Sequence, residues 1–267
     1  MTSSDRSAPV RLADVRALLF DLDGVLTPTA DVHMRAWSRL FTPYLAAHGV
    51  APYTEQDYFA YIDGKPRYDG VRSLLDARGI ELPQGTPDDA PDQDTVCGLG
   101  NRKNAEFTAE LTEHGVEPYP GSLRFLVAAI DAGLSVAVVS SSANAKSVLR
   151  TAGILERFPV VIDGLVARDD ALAGKPAPDT YLDAASRFGL TAAECVVVED
   201  ATSGVAAGRN GSFGLVIGVD RGAGADALRE NGADVVVTDL ADLIAELPAP
   251  AEPAAPAESA GPATQTT

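Results

Sequence analysis

Five short apolar runs, at residues 18–20, 136–139, 196–198, 215–219 and 235–237, are separated mostly by stretches with helical spacing. Short aliphatic runs bounded by turn residues read as buried strands. Strands that alternate with helices predict an α/β fold with a parallel sheet covered on both faces. The interval 33–115 breaks this rhythm. It has no clear strand but three helical patterns, at 32–47, 66–78 and 95–114. Gly79 and Gly115 fit helix C-terminal stops, and 83–94 is a connection rich in Pro and Asp. The pattern predicts a discontinuous core, 12–32 and 116–246, with a helical cap, 33–115, inserted after the first strand. An insertion there overlies the carboxyl edge of the sheet, where ligands bind in open α/β folds, and can close over it. Residues 1–11 and 248–267 lack periodicity and are expected to be disordered tails.

Polar residues at the ends of the apolar runs carry the candidate chemistry. The first run ends in Asp21-Leu22-Asp23-Gly24. Side chains alternate along a strand, so Asp21 and Asp23 leave the sheet edge on the same side. The second run ends in Ser140-Ser141-Ser142 before a helix at 144–152, where hydroxyls and free amides can hold an anion. Lys175 stands in Gly174-Lys175-Pro176-Ala177-Pro178, a loop whose prolines fix its backbone. The third run ends in Glu199-Asp200. Each segment alone has an ordinary explanation: a capped turn, an N-cap, a solvated lysine, acids at a helix start. Together they place four carboxylates, a lysine and a serine at one sheet edge. Such carboxylates need a counter-charge, and hard oxygen donors suit Mg²⁺, which also pairs with phosphate oxygens. Lys175 and Ser140 would hold the remaining phosphate oxygens. The set describes phosphoryl transfer with a carboxylate nucleophile.

The formal net charge of −17 over 267 residues argues against nucleic-acid and anionic-membrane partners, which select basic patches. A phosphate site must then be built from local cations and backbone amides. Cys97 and Cys195 make no disulfide framework, and Cys195 reads as a buried core thiol. With no apolar stretch long enough to span a membrane and no signal-peptide pattern, a cytoplasmic monomer acting on a small molecule is expected.

The ordered motifs Asp21-x-Asp23-Gly24-x-x-Thr27, Ser140, Lys175 and Glu199-Asp200 resemble those of the haloacid dehalogenase superfamily over about residues 15–240. His33, Trp37, Gly64, Arg67, Arg102-Lys103-Asn104, Ser142, Asn144 and Lys175-Pro176-Ala177-Pro178-Asp179 are similar to the β-phosphoglucomutase-like subfamily and its hydrolase relatives. The resemblance implies a Rossmann-like sheet core with an inserted α-helical cap, a sugar-phosphate substrate and Mg²⁺. It implies Asp21 as nucleophile and Asp23 as general acid and base. Asp21, Asp23, Glu199 and Asp200 would hold the metal, and Ser140 and Lys175 the transferring group. Arg67, Ser142 and Asn144 would bind a distal phosphate. His33 and Lys103 would link cap closure to Asp23, with Trp37, Gly64 and Asn104 beside the substrate.

The chain departs from that pattern at three positions. Ala143 and Asp63 stand where lysines are expected, and Pro28 replaces an acid. With two cations missing, Arg67 is expected to be nearly alone at the distal phosphate. The reading that follows is a hexose-phosphate mutase working through a bisphosphate. Its rival is a sugar-phosphate phosphatase of the same fold. A signalling receiver domain also gathers acids and a lysine at a sheet edge, but the Asp-x-Asp spacing and the long helical insertion speak against it.

Overall fold

The computed structural model describes residues 11–249; of the tails expected at 1–11 and 248–267, residues 1–10 and 250–267 lie outside the described residues. The strands are β1 (Ala17–Phe20), β2 (Ser135–Val139), β3 (Val160–Ile162), β4 (Cys195–Glu199), β5 (Leu215–Val219) and β6 (Val235–Val237). All pair in parallel in the order β3-β2-β1-β4-β5-β6. The strand order therefore reverses direction between β1 and β4. Such a switch point opens a crevice beyond the carboxyl ends of the two strands.

Both sheet faces are buried, which explains the unbroken apolar runs. Leu18, Phe20, Val136, Val138, Val196 and Val198 face one layer, and Leu19, Ala137, Val139, Cys195 and Val197 the other. β3 is a strand that the apolar pattern did not single out. It has only three residues, two of them half-buried at the sheet edge, too few to establish a period.

After β1 the chain forms α1 (Thr29–Ala47), the single turn α2 (Glu55–Asp57), a π-helical turn (Tyr58–Ile62), α3 (Arg67–Ala77) and α4 (Val96–His114). The expected boundary between residues 32 and 33 falls inside α1, which runs through it unbroken. Trp37, Phe41, Leu45, Leu74, Leu75 and Leu99 give these helices an apolar core of their own. α1 and α4 are also joined by charge. Arg35 donates to the buried Glu110 carboxylate at 3.0 Å, and Arg39 pairs with it at 2.6 Å. This pairing fixes the register that brings His33 and Lys103 together.

The remaining helices are α5 (Pro120–Asp131), α6 (Ala145–Thr151), α7 (Gly164–Asp169), α8 (Asp179–Arg187), α9 (Thr202–Asn210) and α10 (Ala225–Glu230). Phe125 of α5 meets Phe20 of β1 edge to face at 6.2 Å. Tyr181 of α8 is fully buried against the opposite face.

Candidate active site

The site is assembled at the carboxyl ends of β1, β2 and β4. The Asp21 N–H donates to Val198 O at 2.9 Å, which extends the ladder one residue past β1. Asp21 is thereby fixed beside β4. The chain then turns sharply, with Gly24 N–H donating to Thr27 O at 2.8 Å. Gly24 has φ +88°, and a Cβ there would stand 1.8 Å from Asp200 Oδ2. Glycine is required on both counts. The turn returns Asp23 toward α1, where the Thr29 hydroxyl donates to Asp23 Oδ1 and His33 Nε2 lies 3.5 Å from the same oxygen.

At the end of β4, Glu199 is held by four donors. Lys175 Nζ lies 2.6 Å and the Tyr181 hydroxyl 3.0 Å from Oε1, while the N–H groups of Asp200 and Ala201 donate to Oε2 at 3.1 Å each. Lys175 Nζ also donates to Asp21 Oδ1 at 2.5 Å and to Val139 O at 3.1 Å. One buried ammonium thus ties together the ends of β1, β2 and β4. At the end of β2, the hydroxyls of Ser140 and Ser142 accept from the N–H groups of Ser142 and Asn144 at 3.1 Å each. These serines order the loop before α6. Asn144 Nδ2 then donates to Asn104 Oδ1 at 2.7 Å, across to α4.

One cavity is lined by Asp21, Asp23, His33, Trp37, Gly64, Arg67, Lys103, Asn104, Ser140, Ser142, Asn144, Glu199 and Asp200. Lys175 is not part of this lining and reaches the site through Asp21 and Glu199. Lys103 Nζ bonds to His33 Nδ1 and lies 4.9 Å from the Trp37 ring. The cavity is also lined by Lys65, which lies close in sequence to the missing lysine position. Lys65 Nζ donates only to the neutral Ser73 hydroxyl, at 2.9 Å. Arg67 donates to the Tyr68 hydroxyl at 3.1 Å, and its buried Nε has no partner. Among the described residues neither cation has a carboxylate partner. Arg67 is therefore not nearly alone: Lys65 and Lys103 join it at the same cavity.

Burial dominates the electrostatics. It pushes Asp21 well above the carboxylate range, with Lys175 opposing and Glu199 and Asp23 adding to the rise. Asp200 is pushed well up by burial and by Asp63, Asp21, Glu199 and Asp23, with no cation among the causes. Burial and Glu199 raise Asp63 to about 7, partly offset by Tyr58 and Lys175. Burial opposes the charge on Lys175, but Asp21 and Glu199 hold the ammonium well above its ordinary range. Burial likewise opposes charge on Asp23, yet His33, Thr29 and Lys103 bring its carboxyl below the usual range.

Oxygens of Asp21, Glu199 and Asp200 lie within 4.8 Å of one another. Buried carboxylates this close need a cation or protons. All three are hard carboxylate oxygen donors, so the donor set fits Mg²⁺. The four donors on Glu199 leave Asp21 and Asp200 with the free lone pairs.

The haloacid dehalogenase-like hydrolase family model matches residues 15–211, most of the described sheet and all of the helical excursion. The chain belongs to the haloacid dehalogenase superfamily.

Within it the chain falls in the β-phosphoglucomutase-like subfamily and is an enzyme. It is 50% identical over 240 residues to the β-phosphoglucomutase of Mycobacterium tuberculosis, covering 86% of this chain and 92% of the relative. It is 31% identical to hexitol phosphatase A of Escherichia coli, covering 84% of this chain and 91% of the relative. Its fold is that of the β-phosphoglucomutase from Clostridium difficile, with TM-score 0.69 and 22% identity over 86% of this chain and 93% of that one.

Tyr181 and Lys65 carry no mark in the sequence, and Asp63 reads there only as a missing lysine. Tyr181 reaches Glu199 from beneath the sheet, and no local pattern marks that contact. Lys65 stands beside Gly64, two positions before Arg67, and a lone loop lysine looks the same in sequence whether solvated or lining a site.

Proposed function

We propose that this enzyme is a Mg²⁺-dependent β-phosphoglucomutase, interconverting β-glucose 1-phosphate and glucose 6-phosphate through a bisphosphate. The observation that carries the reading is a single cavity lined by Asp21, Asp23 and Ser140 and also by Lys65 and Arg67, two cations without carboxylate partners among the described residues. A bisphosphate offers one phosphate to Asp21 and the other to these cations.

Lys175 engages Asp21 Oδ1, so Oδ2 is the oxygen free to attack phosphorus. The phosphoryl group moves to Asp21 as the sugar oxygen leaves, and Asp23 supplies the proton to that oxygen. In the reverse sense Asp23 accepts the proton of the attacking sugar hydroxyl, and the Asp21–phosphorus bond breaks. Thr29 and His33 hold Asp23 Oδ1, which orients the carboxyl for both tasks. Lys175 and the Ser140 hydroxyl hold oxygens of the transferring group. Asp21, Asp200 and the backbone carbonyl of Asp23 would hold Mg²⁺, with Glu199 beside them. When bound, the metal supplies positive charge against the carboxylates and the transferring group. The helical insertion acts as the cap that excludes water. We place the enzyme in the cytoplasm.

A second reading, sugar-phosphate hydrolysis on the same site, is favoured by Ala143, which leaves the distal end without a cation from the core side. Phosphorus NMR on β-glucose 1-phosphate with Mg²⁺ and a trace of the bisphosphate separates the two. Conversion to glucose 6-phosphate supports the mutase. Release of inorganic phosphate alone supports the hydrolase.

A further inference from the structure

The segment 63–66 joins the π-helical turn to α3 and touches the core directly. Its contacts fall on three separate core segments: the loop after β2, the loop before α8 and the first turn of α9. The Ser141 hydroxyl donates to Gly64 O at 2.8 Å. The Ser203 hydroxyl donates to Asp63 O at 3.3 Å. The Pro66 ring packs so closely on Gly174 that a Cβ there would lie 3.1 Å from Pro66 Cγ. Ser141 follows Ser140, Gly174 precedes Lys175, and Ser203 lies three residues beyond Asp200. Each contact thus stands next to a group placed at the reacting phosphate.

We infer that Ser141 and Ser203 form a latch: their hydroxyls hold the consecutive carbonyls of Asp63 and Gly64, and so fix the cap closed over the site. Neither carbonyl accepts another hydrogen bond among the described residues. The geometry of Gly64 belongs to the same device. It has φ +71°, and a Cβ there would stand 2.0 Å from Ser203 Oγ. Any side chain at 64 would be strained in this backbone and would drive Ser203 off its acceptor. The latched segment leads directly into Arg67 and contains Lys65. Closing it therefore seats both cations over the cavity at the moment water is shut out.

The consequence rests on the mutase reading. A mutase must keep water from its phosphorylated aspartate while the bisphosphate turns. A cap that opens more often loses phosphoryl groups to water. Two neutral hydrogen bonds broken together shift a closed-to-open ratio by roughly ten-fold. Both serines are positioning residues.

The test is Ser141→Ala/Ser203→Ala, read in two ways. Phosphorus NMR gives the ratio of inorganic phosphate released to glucose 6-phosphate formed. The latch predicts a rise in this ratio of roughly ten-fold. Hydrolysis of p-nitrophenyl phosphate, whose phosphoryl group passes to the same aspartate and then to water, does not fall below the wild-type rate. Gly64→Ala moves the ratio in the same direction. X-ray scattering of the substrate-free protein gives the second reading, independent of activity: the double variant has the larger radius of gyration. A ratio and a radius both equal to the wild type overturn the latch. A wild type that does not isomerise overturns the mutase reading instead, and the scattering comparison then decides the latch alone.

Discussion

Lys175 and Asp21 form a buried ion pair, with Nζ 2.5 Å from Oδ1. Among the described residues Asp21 has no other cationic partner, and Glu199 depends on the same ammonium at 2.6 Å. Lys175→Met would leave two buried carboxylates uncompensated. Breaking a buried pair in this way costs about 3–5 kcal/mol. The cost should be larger at pH 8 than at pH 5, because Asp21, already raised by burial, takes up a proton as pH falls. Turnover should drop about 100- to 1000-fold with the loss of a preorganised donor. Urea unfolding at the two pH values and steady-state rates check both. Equal destabilisation at both pH values would contradict the pairing.

Tyr181→Phe removes one donor from Glu199 and keeps the ring against Phe213, which it meets edge to face at 6.0 Å. A hydrogen bond to a charged group contributes about 1.5–3 kcal/mol. The variant should lose stability of that order and lose turnover through a less firmly held Lys175. A fully active, fully stable variant would show that Glu199 does not need the hydroxyl.

Metal binding should release protons. Burial, followed by opposition from Lys175 and repulsion from Glu199 and Asp23, holds Asp21 well up; burial and four neighbouring acids do the same to Asp200. Without a cation these groups bind protons more tightly in the folded chain than in the unfolded one. Their contribution to stability is present at low pH and is lost as pH rises. Mg²⁺ favours the ionised forms, so its affinity should increase with pH. Titration calorimetry at pH 6 in two buffers of different ionisation heat measures the release. Identical heats in both buffers would rule it out.

Lys103 offers a test with the opposite sign. Burial pushes its ammonium down to about 7, with Asp23 opposing and Arg67 adding to the fall. An unfolded lysine titrates near pH ~10.4. Between those values the folded chain binds fewer protons than the unfolded one, so stability gains as pH rises. Lys103→Met should therefore stabilise the protein most at pH 6, and its advantage should shrink toward pH 10. A melting-temperature difference that stays flat across this range would mean that Lys103 is not desolvated.

The sequence made the reacting end of the site legible because its residues close short apolar runs. Asp21, Asp23, Glu199 and Ser140 sit where a buried strand meets a turn, and that transition is visible as a change of residue type. The cap's opposite end was harder to read. Arg67 and Lys65 look like any solvated helix or loop cation until Tyr68 and Ser73 are found as their neutral partners. Tyr181 lies mid-helix in α8, where its burial signals core packing and only the folded chain reveals Glu199 above it. β3 escaped notice through shortness. Ser141 sits in a loop already rich in serine and Ser203 in the first turn of α9, where serine is ordinary, and their acceptors are backbone carbonyls, which carry no sequence signal.

The central claim is that the phosphoryl group passes through Asp21. The enzyme with Mg²⁺ is mixed with the glucose bisphosphate, quenched in acid, and mapped by peptide mass spectrometry. The account predicts a mass gain of one phosphoryl group on the peptide containing Asp21, lost in Asp21→Asn together with all isomerisation. Undiminished isomerisation by Asp21→Asn, or a phosphoryl group located on any other residue, would contradict it.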